Sequence, residues 1–251
     1  MPVQLGKSAV GAACVMCLEP ISRNPSPDGT AVWPTPMRTR HAPGETLNRH
    51  RHDGAFAAIV VSGNYVEAGD TGRHRLGPGD VVFHVPFESH LDRFDRSNTE
   101  VLNLPLPARM KLPVVGTLSD PDSIVRLAEH DAPAAIMALQ TSVTERMEPA
   151  EDWPDALATE LLRDPDTNLT HWAVQSGLHP GSLSRGFRQQ FGVTPAKFRT
   201  IVRIHSAIRR LAELSLSEAA LESGFADQAH MTRAARQMTG LPPGRIKRLF
   251  A

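Results

Sequence analysis

Two stretches of this 251-residue chain follow one plan: "AVQSGLHPGSLSRGFRQQFGVTP" at 173–195 and "ALESGFADQAHMTRAARQMTGLPP" at 220–243. Each has Ala, two variable residues and Ser-Gly, then an apolar residue, paired arginines, a Gly and a Pro. Matched residues in matched order mean one structural unit used twice. In the first copy, 169–176 reads as a short helix, with Ala173 small enough for another helix to approach closely. Gly177 supplies the left-handed turn that ends it, and Pro180 occupies the first position of the next helix. Leu183 and Phe187, four residues apart, face inward, while Gly181, Ser184, Arg185 and Arg188 lie on the opposite face. The second copy has one extra residue in its turn, and Asp227 caps its second helix. There Met231, Ala234 and Met238 form the inner stripe; Gln228, Ala229, Thr232, Arg233 and Arg236 face out.

A helix, a tight turn and a second helix carrying arginine on its outer face suit the DNA major groove. Arginine and glutamine make paired hydrogen bonds to guanine and adenine edges there. The candidate DNA-contacting residues are Ser182, Ser184, Arg185 and Arg188 in the first copy, and Gln228, His230, Thr232, Arg233 and Arg236 in the second. Arg185 and Arg233 are expected on base edges; Arg188, Arg236, Lys197 and Arg199 are expected on phosphates. Between the copies, Thr194 caps and Pro195 begins a helix of about 27 Å at ~1.5 Å per residue. Such a rod would hold both recognition helices in successive major grooves, about 34 Å apart.

The charge distribution agrees. The whole chain is neutral, with 27 Lys and Arg against 27 Asp and Glu. Residues 1–159 carry 14 basic against 20 acidic residues, whereas 160–251 carry 13 against 7. An acidic front joined to a basic back suggests two domains, the second facing a polyanion. The two cysteines, Cys14 and Cys17, make no disulfide framework and fit a reducing, cytoplasmic compartment; a redox pair is the alternative reading. No clean cleavage pattern follows Lys7, so no leader is expected. Nor does any apolar run reach the ~18 residues of a membrane span.

Residues 160–251 resemble the DNA-binding domain of the AraC/XylS family of bacterial transcription regulators. "GFADQAHMTRAARQMTGLPPGRIKR" follows that family's signature of Gly-Phe, Asp-Gln, His, Arg, Gly and Pro. The resemblance implies seven helices with two helix-turn-helix units, a promoter DNA partner and, for an activator, RNA polymerase. Two departures stand out. Ala235 replaces the family's usual Phe, the counterpart of Phe187, so a looser second unit is expected. Gly181 and Ala229 offer little side chain where the family often touches DNA.

From about 37 to 107, short β-type runs broken by Gly, Pro and Asp ("AFAAIVVSG", "YVEAGD") argue for a small barrel or sandwich. "GETLNRHRHDGAFAAIVVSG" resembles the first motif of the cupin barrel. In a strand, His50 and His52 would point one way while Arg49, Arg51 and Asp53 point the other. "GPGDVVFHVPFESH" resembles the second motif, which supplies His90, with His84 on the preceding strand. The resemblance implies a divalent metal on His50, His52 and His90; Phe56 stands where the motif expects Glu. Three histidines and water still satisfy zinc geometry, and regulators of this kind also use the barrel for a small molecule without metal.

The expected organisation is α+β: an arm at 1–36, a cupin-like sensor barrel at 37–107, a helical linker at 108–159, and the DNA-binding domain at 160–251. Only helical signals are read from residue 120 onward. Homodimerisation is expected through the barrel or the helices between about 120 and 150. The function expected is a ligand- or metal-controlled transcription regulator, not an enzyme. The alternative is a metal-dependent cupin enzyme, dioxygenase-like, with a helical appendage; no Ser-His-Asp order, phosphate loop or paired catalytic carboxylate accompanies it.

Overall fold

The computed structural model describes residues 35–147 and 150–249. Cys14, Cys17 and all of the arm but its last two residues lie outside the described residues. The front half is built of two antiparallel sheets. Strands β1 (Met37–His41), β3 (Ala55–Ser62), β6 (Asp80–His84), β8 (Thr99–Leu106), β9 (Val115–Thr117) and β10 (Thr144–Glu145) form one, in the order β1-β8-β3-β6-β9-β10. The other runs β2-β7-β4-β5, from β2 (Thr46–Arg51), β4 (Tyr65–Gly69), β5 (Gly72–Leu76) and β7 (Ser89–Phe94). Phe56, Tyr65, Leu76, Val82, Phe94 and Val101 fill the space between the sheets.

The outer face of the first sheet is covered by α1 (Pro121–His130) and α2 (Ala132–Ser142). Ile124, Val125 and Ala128 from α1 and Ala135, Ile136 and Leu139 from α2 pack on Ala57, Ile59, Val81 and Leu104. Burial on both faces explains the unbroken apolar run of β3, since a strand covered on one side alone would alternate. Each fully buried Ile, Leu or Val contributes about 1.5–3 kcal/mol. Asp120 and Asp131 cap the two helices, each accepting a backbone N–H three residues on.

The reading of 120 onward as helical throughout is corrected here. The chain leaves α2 at Ser142, and Thr144 and Glu145 pair with Thr117 and Gly116 as the last strand of the sheet. The sheet therefore extends past residue 107, and the segment 115–145 belongs to the front unit by packing. Val143 and Thr144, stiff β-branched residues, favour the extended form over another helical turn.

Seven helices follow: α3 (Trp153–Arg163), α4 (Leu169–Gln175), α5 (Pro180–Phe191), α6 (Pro195–Arg210), α7 (Leu216–Glu222), α8 (Gln228–Thr239) and α9 (Pro243–Leu249). Gly177 and Gly224 take positive φ of 68° and 76° in the two equivalent turns, and Gly192 and Gly240 end α5 and α8 at 72° and 74°. The duplication is thus repeated in backbone conformation. Thr194 caps α6 as expected, and 16 residues give a rod of about 24 Å.

The cores of the two copies differ. Phe187, Phe191 and Phe198 are fully buried around the first, with Phe187 and Phe191 stacked at 4.5 Å. The second holds Phe225, Met231, Ala234, Ala235 and Ile246, joined by Phe87 from the turn between β6 and β7. Ala235, where a looser second unit was expected, is buried, at 2 % exposed. Beside the second copy's own Phe225, an aromatic ring from the front domain lies in this core, whose Ala235 stands where the first copy has Phe187.

Candidate nucleic-acid interface and buried histidine cluster

The candidate recognition helices are α5 and α8. Ser182, Arg185 and Arg188 are exposed on α5, with Ser184 half-buried beside them. On α8, Gln228, His230, Arg233 and Arg236 are exposed and Thr232 is half-buried. The buried residues Leu183, Phe187 and Phe191 on α5, and Met231, Ala234 and Ala235 on α8, define the opposite faces. The Asp227 carboxylate accepts the His230 N–H at 2.6 Å, fixing the start of α8. The helix positions differ in one instructive way. Gly186 sits where its counterpart is Ala234, and a Cβ there would lie 2.5 Å from the ring of Trp153 on α3.

Two candidate phosphate contacts are engaged elsewhere. Arg199 is half-buried and donates to the Thr167 carbonyl, while Lys197 donates to Gln237 at 3.2 Å. Both belong to contacts within the helical domain.

The outer face of the second sheet rests directly on that domain. Arg49 of β2 donates to the Phe191 carbonyl at 2.8 Å and pairs with the buried carboxylate of Asp70. Asp70 also accepts from the Ser89 N–H at 3.0 Å and meets His205 Nε2 of α6 at 2.9 Å. Arg93 of β7 donates to the Gln189 carbonyl at 2.5 Å, and Arg73 of β5 pairs with Asp155 of α3 at 2.8 Å. Arg51 donates to the Met238 carbonyl at 2.6 Å. Carbonyls at a helix C-terminus lack partners within the helix and carry partial negative charge, so guanidinium groups suit them. The front domain therefore caps the C-terminal ends of both candidate recognition helices.

On the other face of β2, the alternation expected for a strand brings His50 and His52 between the sheets. His50 is paired in register with His90 of β7. Ring centroids of His50, His52 and His90 lie 4.5–5.0 Å apart, and one ligand atom from each falls within 4.8 Å of the others. The sequence thus found the three histidines. It did not find Glu67 of β4, buried with His84 and His90 in a second overlapping set of possible ligands. Glu67 lies 3.5 Å from His84 Nε2 and 3.7 Å from His90 Nδ1. Phe56, at the expected Glu position, stacks on His84 at 4.3 Å instead. The only signal for Glu67 was a carboxylate at an inward register position in "YVEAGD", legible once the sheet partner was known.

Burial lowers the affinity of these histidines for protons. His52 is pushed down to about 3 by burial and by the neighbouring His84 and His50. His90 falls well below the ordinary imidazole value for the same reasons. Burial also opposes the charge on His84, but Glu67 and Glu88 outweigh it and hold its pKa up at about 10. The cluster thus keeps one positive charge on His84 between two carboxylates and leaves the other imidazoles neutral, the form that ligates metal. Both nitrogens of His52, Glu67 Oε1 and His84 Nε2 are buried without a hydrogen-bond partner among the described residues. Glu67 and His84 still face each other as charge partners, whereas the two His52 nitrogens have no such partner among the described residues, and buried polar atoms of that kind call for an ion or water. The cavity they line measures about 50 Å³.

Residues 172–248 match the family described as a helix-turn-helix domain. With the doubled unit and its outward arginines, this defines a DNA-binding transcription regulator. Its helix-turn-helix region is of the AraC/XylS type, as the signature at 224–248 implied. Three solved structures are similar to the chain. Unsaturated-fatty-acid-bound ToxT from Vibrio cholerae is 11 % identical at a TM-score of 0.40, over 87 % of this chain and 97 % of that one. The C-terminal domain of AraT, a response regulator from Geobacillus stearothermophilus, is 23 % identical at 0.36, over 42 % and 88 %. A probable AraC family regulator from Rhodopseudomonas palustris is 20 % identical at 0.35, over 37 % and 92 %. Among curated proteins, none matches the chain significantly. No helix of the described residues is long and apolar enough to cross a membrane.

Proposed function

We propose that the regulator reads promoter DNA in the cytoplasm with α5 and α8 and is controlled by a divalent metal ion held between the sheets. The observation that carries the DNA part is the repeated exposed face. Arg185 and Arg233 occupy equivalent positions, the sixth residue of each 12-residue helix, and supply base readout, with Arg188 and Arg236 on phosphates. The same account includes a homodimer and, if the protein activates, contact with RNA polymerase.

For the effector, cavity size favours an ion over an organic molecule. Small-molecule sites typically measure about 300–1,000 Å³, far above the 50 Å³ between these sheets. His50, His52 and His90 would hold the ion, with Glu67 giving the carboxylate that the first motif lacks. Mixed imidazole and carboxylate donors suit zinc and its first-row neighbours. Bound there, the ion would act as an effector by drawing β2, β4 and β7 together.

The test is fluorescence anisotropy of the full chain on DNA from upstream of its own gene. The logarithm of affinity should fall linearly with the logarithm of salt, since displaced counterions drive such binding. Arg185→Ala and Arg233→Ala should each weaken binding by about 1–3 kcal/mol. Undetectable binding at low salt would overturn the DNA reading. Equilibrium dialysis of the metal-stripped chain against zinc tests the effector separately: one ion per chain is expected, lost in His50→Ala/His52→Ala, and no retained ion would overturn it.

A further inference from the structure

The core of the second helix-turn-helix unit includes a residue from the front domain. Of the buried residues in its core, all but one lie between Ile204 and Ile246; the exception is Phe87, 1 % exposed. Phe87 has φ of 68°, the only non-glycine residue with positive φ among those described. A bulky side chain pays for that conformation in strain and keeps it only where surrounding contacts hold it. Here they do. The Phe87 N–H donates to the His52 carbonyl at 2.8 Å, and the His52 N–H donates to the Glu88 carbonyl at 3.0 Å. The ring reaches the core that includes Ala235, the position where the first copy has Phe187.

Arg51 adds a polar contact from the same place. One residue before His52, it caps α8 at the Met238 carbonyl and is also paired with Asp53 at 3.1 Å. The end of β2 and the β6–β7 turn, joined by those two hydrogen bonds, therefore supply between them the ring inside the second unit and the cation at the end of α8. The first unit also packs on front-domain side chains, Ala68 and Leu91, but the aromatic rings of its core, Phe187, Phe191 and Phe198, are its own.

We infer that Phe87, with Arg51, is a positioning residue for DNA recognition: it seats α8, so the second unit reads DNA only when the front domain is docked. The inference rests on α8 being a recognition helix, but half of its test uses no DNA.

Amide hydrogen exchange on the full-length Phe87→Ala protein should show α7 and α8 exchanging at least about tenfold faster, as expected for a locally destabilised segment. Helices α4 and α5 should keep wild-type rates. Ala235→Phe added to Phe87→Ala should restore protection of α8 by supplying the ring from within. Arg51→Ala, a half-buried position, should loosen only the last turn of α8. Equal acceleration of both units, or none in either, would overturn the inference. The second half is a mutant cycle on a duplex enriched from random DNA by the wild-type chain. Residues that act through one unit give non-additive losses. The loss from Phe87→Ala should therefore add to that from Arg185→Ala but not to that from Arg233→Ala. Additivity with both would show that Phe87 acts outside the second unit. A normal exchange result with no DNA enriched would count against DNA reading alone.

Discussion

The two helix-turn-helix units share a backbone plan and outward arginines and both pack on the front domain, yet what that domain supplies differs: Ala68 and Leu91 to the first core, the Phe87 ring to the second. The first is closed by its own aromatic residues, packed so tightly that α5 must carry glycine at Gly186 beneath Trp153. The second has alanines at the equivalent inner positions, Ala234 and Ala235, and takes a ring from another domain. Equivalent sequence patterns thus give equivalent helices without equivalent independence. What fills the core differs between the copies, and one residue of the second core, Phe87, lies more than a hundred residues away in sequence.

Substitutions sharpen this contrast. The largest effect is expected for Phe187→Ala, which removes a fully buried ring stacked on Phe191; denaturant unfolding should show a loss of about 3–5 kcal/mol. A much smaller loss would mean the surroundings refill the space. Asp70→Ala comes close behind. It strands Arg49 and His205 in a buried interface, and breaking a buried ion pair by removing one partner costs about 3–5 kcal/mol. Differential unfolding of the two domains, seen as two calorimetric transitions in the variant, would mark the interface as their coupling.

Gly186→Ala should cost about 1–3 kcal/mol through overpacking against Trp153. The reciprocal Ala234→Gly loses side-chain burial and about 1 kcal/mol of helix propensity instead. If both cost the same by the same mechanism, Gly186→Ala would leave the environment of Trp153 unchanged, which its fluorescence reports. The smallest effects belong to the helix ends. Gly240→Ala meets no neighbouring atom and should lose only about 1 kcal/mol from its left-handed conformation. Gly192→Ala should lose more, because its Cβ would press on Leu91 at 3.1 Å and on Arg49.

Much of this was written in the sequence. The repeat, its turn glycines, the capping residues Thr194 and Asp227, and the inward pair His50 and His52 follow from periods of 3.6 and 2. Periodicity also put Arg49 and Arg51 on the outer face of β2. It could not say that this face meets the recognition helices, because alternation identifies a buried face without naming what covers it. Glu67 was hidden for a related reason: it joins the histidines through sheet order, with β4 beside β7, and sequence distance does not report order. Phe87 was the least legible of all. It follows a proline in a turn, where a lone aromatic reads as loop, and only the interdomain packing reveals its place. The short strand at Thr144 was lost to the longer helical pattern before it.

The most direct test of a doubled reader with one dependent half is a hydroxyl-radical footprint on enriched DNA. Wild-type protein should protect two patches about one helical turn apart on one face of the duplex, and Phe87→Ala should keep the first and lose the second. Two intact patches in that variant, or the disappearance of both, would contradict the account.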